Sequence, residues 1–357
     1  MTAEIPTADD VSIGVDVTDA AQPSPEHIVG LGVGFWGSKV LLSAVELGVF
    51  TELAREPLPL EVLADRVGLH PRSSRDFLDA LVSLGMLRRT NEIYSNTPDT
   101  DVFLDKAKPS YIGAMFDFLN TRIYGFWGSL TTALRTGRPQ SEIKEGGEFF
   151  EVFYQDPARS GLYLRAMSAL STGSGMALAA AFPWHKYATF VDIGCAEGAV
   201  AVQVARAHQH LSGGGFDLPP AAAPFADYVT SAGLRDRLRF HTGDFFADPL
   251  PTADVLIMGH VLHDWNLEEK LALIQKAYAA LPEGGALIIY DNMIDDDRRE
   301  NTFGLLISLN MLIENEGGFD YTGADCRNWL ASVGFTTSPA EPLAGPTSMI
   351  VAVKPTT

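Results

Sequence analysis

The sequence predicts an α/β protein in two parts: a parallel sheet covered by helices in the C-terminal half, and a mostly helical, winged-helix-like module before it. Two observations carry this. From residue 188, short and nearly continuous apolar runs alternate with helical patterns, as strands buried on both faces of a parallel sheet do. Before residue 109 the apolar positions recur at helical spacing, interrupted by one hairpin signal. The 357 residues suffice for two domains.

Residues 1–25 are acidic and lack the basic-then-apolar order of a signal peptide, so a disordered tail is expected. The helical module takes residues 26–108, with the helical pattern clear from about residue 35. Leu41, Val45, Val49 and Leu53 follow at spacings of four, one apolar stripe. Leu60, Leu63, Ala64 and Val67 mark a second amphipathic helix. Phe77, Leu78, Leu81 and Leu84 mark a third, with Pro71 suited to its first turn. "LRRTNEIYSNTP" then reads as a hairpin around Thr90-Asn91-Glu92. Residues 109–180 are helical and rich in aromatics: Phe116, Phe118, Tyr124, Phe126, Trp127, Phe149, Phe150, Phe153 and Tyr154. They are too many for one helix face. Most serve packing between the domains, and a minority is expected to line a pocket there.

Residues 181–357 hold the sheet. Its strands are "TFVDIG", "GGGFDLP", "RLRFHTGDFF", "ADVLIMG" and "ALIIYD". Between them lie helices in "EGAVAVQVARAH", "APFADYVTSAGL" and "NLEEKLALIQKAYAALPEGG", the last ending at Gly284-Gly285.

With 26 basic and 45 acidic residues the formal charge is −19. That field repels phosphate backbones and anionic lipid surfaces, so neither nucleic acid nor membrane is expected as a partner. A winged helix that binds DNA is the rival class. Its third helix would face the groove, yet Arg72 and Arg75 are offset by Asp76 and Asp79, whereas groove-reading helices carry net positive charge. No apolar stretch is expected to cross a bilayer. Cys195 and Cys326 are the only cysteines, which suits a reducing compartment, and a cytoplasmic protein is expected.

The first strand runs into "VDIGCAEGAV", where Gly194, Ala196 and Gly198 alternate after Asp192. Small residues allow a sharp turn and close approach of a ligand at the helix N-terminus. Asp217, nineteen residues after Gly198, ends the second strand, where a carboxylate accepts hydrogen bonds from a ribose diol. The pair points to an adenosine-containing ligand. Glu197 at the helix start would repel a pyrophosphate but tolerates a sulfonium with an amino-acid tail, which favours S-adenosylmethionine. Asp244 and Phe245, in "GDFF" at the end of the third strand, suit an adenine amino group and ring face.

"MGHVLHDWN" follows the fourth strand, and Asp291 ends the fifth beside it. Asp320, in "GGFDYT", is placed to flank the same point from a later loop. An imidazole between carboxylates is a base held in one tautomer, and histidine titrates near neutral pH. His263 therefore reads as a general base for a hydroxyl acceptor. His260, on the strand itself, reads as a core residue. The same His263, Asp291 and Asp320 also suit a divalent metal.

With these segments in order, the chain from about residue 30 to 355 resembles the class I S-adenosylmethionine-dependent O-methyltransferases of the plant caffeate and bacterial natural-product type. "FDLP", "GDFF", "HDW" and "ALPEGGALII" match that family's signatures. The resemblance implies a homodimer built by the N-terminal module and a Rossmann-like domain that binds S-adenosylmethionine and releases S-adenosylhomocysteine. It implies Gly194 and Asp217 at the methionine and ribose parts, Asp244 and Phe245 at adenine, and His263 as base. Asp291 and Asp320 fall where the family has glutamates, and Gly259 where plant members often carry lysine. The implied acceptor is a small aromatic hydroxyl compound, walled by the helices of residues 109–180 and the neighbourhoods of Met293 and Met311. C- or N-methylation on the same fold, and a non-catalytic regulator, are the alternatives.

Overall fold

Gly48, at φ +74°, ends one helix and starts the next, dividing a stripe that the apolar spacing joined. The computed structural model, which describes residues 23–147, 149–154 and 156–356, therefore has helices Glu26–Glu46 and Val49–Arg55 in place of a single run. The first begins nine residues before the pattern from residue 35 becomes clear. Residues 1–22, most of the expected tail, lie outside the described residues. Helices Leu60–Arg66 and Ser74–Ser83 follow. Pro71 belongs to the turn ahead of the latter rather than to its first turn.

The hairpin consists of β2, Leu87–Thr90, and β3, Ile93–Asn96. Asn91 and Glu92 both take positive φ, 49° and 64°, the conformation a two-residue turn needs to match strand twist. A short strand that the sequence reading did not include, β1 at Leu58–Pro59, pairs with β3. Val45, Val49, Phe50, Leu63, Leu78, Leu81 and Tyr94 form this module's core.

One expectation is corrected here. Helix Glu26–Glu46, with mean hydropathy 1.6, is long and apolar enough to cross a bilayer by length and composition. Only 17% of its apolar window is buried, and Ile28, Leu31, Phe35 and Trp36 stand exposed along it.

In the large sheet, β4 (Thr189–Ile193), β5 (Ser212–Asp217), β6 (Leu238–Thr242), β7 (Val255–Gly259) and β8 (Ala286–Asp291) run parallel in the order β6-β5-β4-β7-β8. Three strands beyond the sequence reading make one edge antiparallel: β11 (Thr347–Val353) pairs with β8, while β9 (Thr336–Thr337) and β10 (Glu341–Ala344) pair with β11. Alternation along the strands sends Phe190, Ile257 and Ile288 to one core and Val191, Leu256 and Leu287 to the other. Strand order reverses at β4 and β7, and the crevice beyond their carboxyl ends is where open α/β sheets bind ligands.

The helix after β7 spans Leu267–Ala280 and stops before Gly284-Gly285. Pro282 drives Leu281 into extended backbone (φ −79°, ψ 139°) and ends it early. The aromatic-rich segment is helical as predicted, through Gly113–Phe118, Tyr124–Trp127, Leu130–Thr136, Phe149–Tyr154 and Pro157–Ala181.

Candidate active site

A cavity of about 900 Å³ opens over the carboxyl ends of β4, β5, β7 and β8. The turn after β4 forms one wall. Gly194 (φ +72°), Ala196 (+49°) and Gly198 (+83°) fold it sharply, and Gly194 and Ala196 line the cavity. Gly198 does not: a Cβ there would meet the Phe225 ring at 2.5 Å, so this glycine serves the turn and the core. Glu197 does not line the cavity either, but it accepts a hydrogen bond at 2.7 Å from Ser168 Oγ, and Ser168 does.

Asp217 lines the cavity at the end of β5. Its oxygens accept from the Ala196 N–H (2.8 Å) and the Leu218 N–H (2.7 Å), which fixes the carboxylate while leaving each oxygen a further lone pair. Burial raises its pKa to about 6, against the pull of those two N–H groups. Asp244, Phe245 and Phe246 line the next stretch, with Asp244 Oδ1 accepting from the Phe246 N–H at 2.8 Å. Trp265 packs edge-on against both phenylalanines, centroids 5.6 and 4.6 Å apart.

The opposite wall is aromatic. Phe150, Tyr154, Tyr163 and Met167 come from the helical segment. Of the aromatics singled out in the sequence, Phe150 and Tyr154 line the cavity, while Phe118 and Phe153 are buried in a local core. Phe116 packs on the N-terminal core, and Trp127 donates to Asn310 Oδ1 at 2.9 Å. Tyr124 lies under Lys39 and Phe126 under Arg122, and the Phe149 side chain lies outside the described residues. Met293 and Met311 are themselves buried and do not line the cavity, but Asn315, in contact with Met311 Sδ at 3.7 Å, does.

Behind the wall made by His260, Asp264 and Tyr290 lies the ionisable cluster. His263 Nδ1 is 3.4 Å from Asp320 Oδ1 and 3.8 Å from Asp291 Oδ1, and its Nε2 is 3.8 Å from Asp264 Oδ1. His263, Asp291 and Asp320 are all buried. The structure therefore brings together the three residues that the sequence placed here, at separations that leave His263 Nδ1 and both Asp320 oxygens without a hydrogen bond. Burial lowers the His263 pKa, but Asp291, Asp320 and Asp264 outweigh it and push it up to about 10. Burial works against Asp291 too, yet His263 and His260 hold it below the usual carboxylate range.

Sequence reasoning missed four participants. His260 is not a core residue: it takes φ +53°, lines the cavity and sets Nδ1 3.3 Å from Asp291 Oδ1. A non-glycine residue held in the left-handed region is strained, and such strain gathers at functional sites. Tyr321 donates its hydroxyl to Asp291 Oδ2 at 2.6 Å. Asp192, buried at the cavity, has its pKa raised by burial and by Asp217 to about 8, so it carries a proton at neutral pH. Lys270 lies wholly buried beside the cluster. Gly259, in place of the family's lysine, is explained by Tyr290, whose ring stands 1.8 Å from where a Cβ would be.

Comparison with known proteins agrees with this architecture. The O-methyltransferase domain family matches residues 127–336, and the O-methyltransferase dimerisation domain family matches residues 30–106. The tetracenomycin polyketide synthesis 8-O-methyl transferase TcmO of Streptomyces glaucescens is 46% identical, over 93% of this chain and 97% of that protein. The N,N-dimethyltransferase OxyT of Streptomyces rimosus is 38% identical, over 75% and 78%. The structure of human N-acetylserotonin methyltransferase in complex with S-adenosylmethionine superposes with a TM-score of 0.86 at 28% identity, covering 95% of this chain and 99% of that one. A cavity that fits a nucleoside at the switch point of the sheet, on a chain matched along nearly its whole length, leads to one conclusion: this protein belongs to the S-adenosylmethionine-dependent O-methyltransferases that carry an N-terminal dimerisation domain.

Proposed function

We propose that this methyltransferase acts, as a homodimer, on a phenolic hydroxyl of an aromatic natural product, with His263 as the general base. The observation that carries the base assignment is the orientation of the imidazole. Nδ1 faces Asp291 and Asp320, while Nε2 points toward Asp264, which lines the cavity. The carboxylates hold the proton on Nδ1 and leave Nε2 to receive one from the acceptor. Bound S-adenosylmethionine supplies an electrophilic methyl group on a sulfonium centre. The chain's own work is to hold that donor in line with the acceptor, because alignment is the main barrier to displacement. Gly194 and Ala196 place backbone at the methionine part, Asp217 accepts from the ribose, and Asp244 and Phe245 receive the adenine. The aromatic wall of Phe150, Tyr154, Tyr163 and Trp265 supports a flat acceptor, and the relatedness to TcmO agrees with a polyketide.

In this state His263 is protonated at neutral pH. A sulfonium held in the cavity would oppose that charge and lower the affinity of the His263 imidazole for its proton. A second reading makes His260 the base, because its ring lines the cavity and His263 does not. A third follows from the spacing of His260, His263 and Asp291, whose donor atoms lie within 4.8 Å of one another. A bound divalent ion is less well supported than a base, since Tyr321 already serves Asp291 and a buried ammonium adjoins the cluster. Metal analysis with a chelator control on activity separates these.

Incubation with S-adenosylmethionine and a panel of polycyclic phenols, read by mass spectrometry, is expected to show a gain of one methyl group. Transfer to amines or carbon alone overturns the hydroxyl assignment, and the relatedness to OxyT makes amines the first control. For the dimer, Trp36→Glu on the exposed face of Glu26–Glu46 is expected to give monomers by light scattering. A dimer of unchanged strength places the interface elsewhere.

A further inference from the structure

Lys270 is fully buried, in the first turns of helix Leu267–Ala280. Its ammonium donates to the carbonyl of Trp265 and, at 3.0 Å, to that of Phe319. It also lies over the Phe319 ring, 3.5 Å from the centroid, with the Tyr321 ring at 5.7 Å. Trp265 stands two residues after His263, and Phe319 immediately precedes Asp320. A single ammonium thus ties the loop carrying the proposed base to the loop carrying one of its carboxylates.

Asp320 needs such a tie. Among the described residues its one side-chain partner is His263, whose Nδ1 lies 3.4 Å from Oδ1, with neither oxygen in a closer hydrogen bond, so its side chain depends on its backbone for placement. That backbone is held by the Lys270 contact to Phe319 and by the Asp320 N–H donating to Ser308 Oγ at 3.2 Å. Asn315 Nδ2, donating to Asp264 Oδ1 at 3.1 Å, is a further side-chain link between the two loops.

Charge makes a second argument. Burial lowers the Lys270 pKa to about 8, while Asp291, Asp264 and Asp320 on surrounding elements, and Glu269 on its own helix, pull it back up. Three carboxylates face two cations, His263 and Lys270, and a base must give up its charge to work. Burying an ammonium is expensive, and apolar residues of like volume commonly replace buried ions without loss of stability. A methionine would pack this helix at less cost, which points to a role in the reaction.

We infer that Lys270 is a positioning residue for methyl transfer: its ammonium fixes the His263 loop against the Asp320 loop and adds positive charge beside the carboxylates that face His263. This rests on His263 being the base. The two ideas fail separately, since unchanged turnover in His263→Ala removes the base, whereas the Lys270 variants test only its support.

The experiment uses the full-length enzyme with Lys270→Gln, which keeps a donor but no charge, Lys270→Met, which keeps neither, and Lys270→Arg, which keeps both. The His263 imidazole is titrated by nitrogen-15 histidine NMR in the S-adenosylhomocysteine complex, and S-adenosylmethionine binding is read by calorimetry. In Lys270→Gln the His263 midpoint is expected to rise by roughly one pH unit, with cofactor affinity within about twofold. Lys270→Arg should keep the wild-type midpoint. Turnover of the phenol found in the acceptor screen should fall about tenfold in Lys270→Gln and further in Lys270→Met. An unmoved midpoint and unchanged turnover in Lys270→Gln overturn the inference. Loss of folding in all three variants also overturns it, because the lysine would then serve stability alone.

Discussion

The two halves of the site are built differently. Along the cofactor rim, Gly194, Ala196, Asp217, Asp244 and Phe245 all line the cavity, and backbone N–H groups fix the Asp217 carboxylate. In the half proposed for acid–base work, His263, Asp291 and Asp320 lie buried behind the wall, with several polar atoms lacking hydrogen bonds. The buried cluster holds unspent electrostatic tension, of the kind found where a charge must move during a reaction.

The largest expected effect breaks the second half and spares the first. His263→Ala should slow turnover about a hundredfold or more, with S-adenosylmethionine affinity unchanged by calorimetry. His260→Ala should cost less than about tenfold, since that ring borders the cavity with one carboxylate, Asp291, beside it rather than three. The reverse ranking would move the base to His260.

Asp217→Ala probes the rim. It removes hydrogen bonds to a charged acceptor, each commonly worth about 1.5–3 kcal/mol, so cofactor affinity should weaken at least tenfold. Turnover at saturating cofactor should change far less. A variant that binds normally would mean that the ribose sits elsewhere.

The same contrast explains what could be read from the sequence. The rim was legible because turns and strand ends belong to local backbone: a glycine turn followed by an acid at the next strand end is a pattern in the chain itself. Gly198 was assigned to the ligand because the sequence does not show Phe225 packing against it. The base cluster was legible chiefly at strand ends. His263 and Asp291 stand at or just past the ends of adjacent strands, and Asp320 was placed beside them from a later loop, in "GGFDYT". Lys270 was invisible because a lysine in the first turns of an amphipathic helix reads as solvent-facing; only the return of the chain at Phe319 buries it. His260 was assigned to the core because period-two alternation in a strand does not anticipate its positive φ. At the antiparallel edge β9 and β10 are short, but β11, Thr347–Val353, is a seven-residue apolar strand that the sequence reading left out.

The smallest expected effect is in stability, and its sign follows from the pKa of His263. In the folded chain that pKa is pushed from 6.5 up to about 10. Between those values the folded protein holds a proton that the unfolded chain has released, so stability falls as pH rises. The contribution is complete below about pH 6.5 and lost by about pH 10. Asp192, raised from 3.8 to about 8, acts in the same direction over the lower part of that window. Lys270, lowered from 10.5 to about 8, acts in the opposite direction above pH 8, so the melting temperature of the wild type should decline chiefly between pH 6.5 and 8, by a few degrees. His263→Ala should show a flatter profile over the same span, and Asp217→Ala should follow the wild type. Equal slopes in the wild type and His263→Ala would show that the imidazole is not charged in the folded protein. The carboxylates around it would then have to be held by Lys270 and Tyr321 alone.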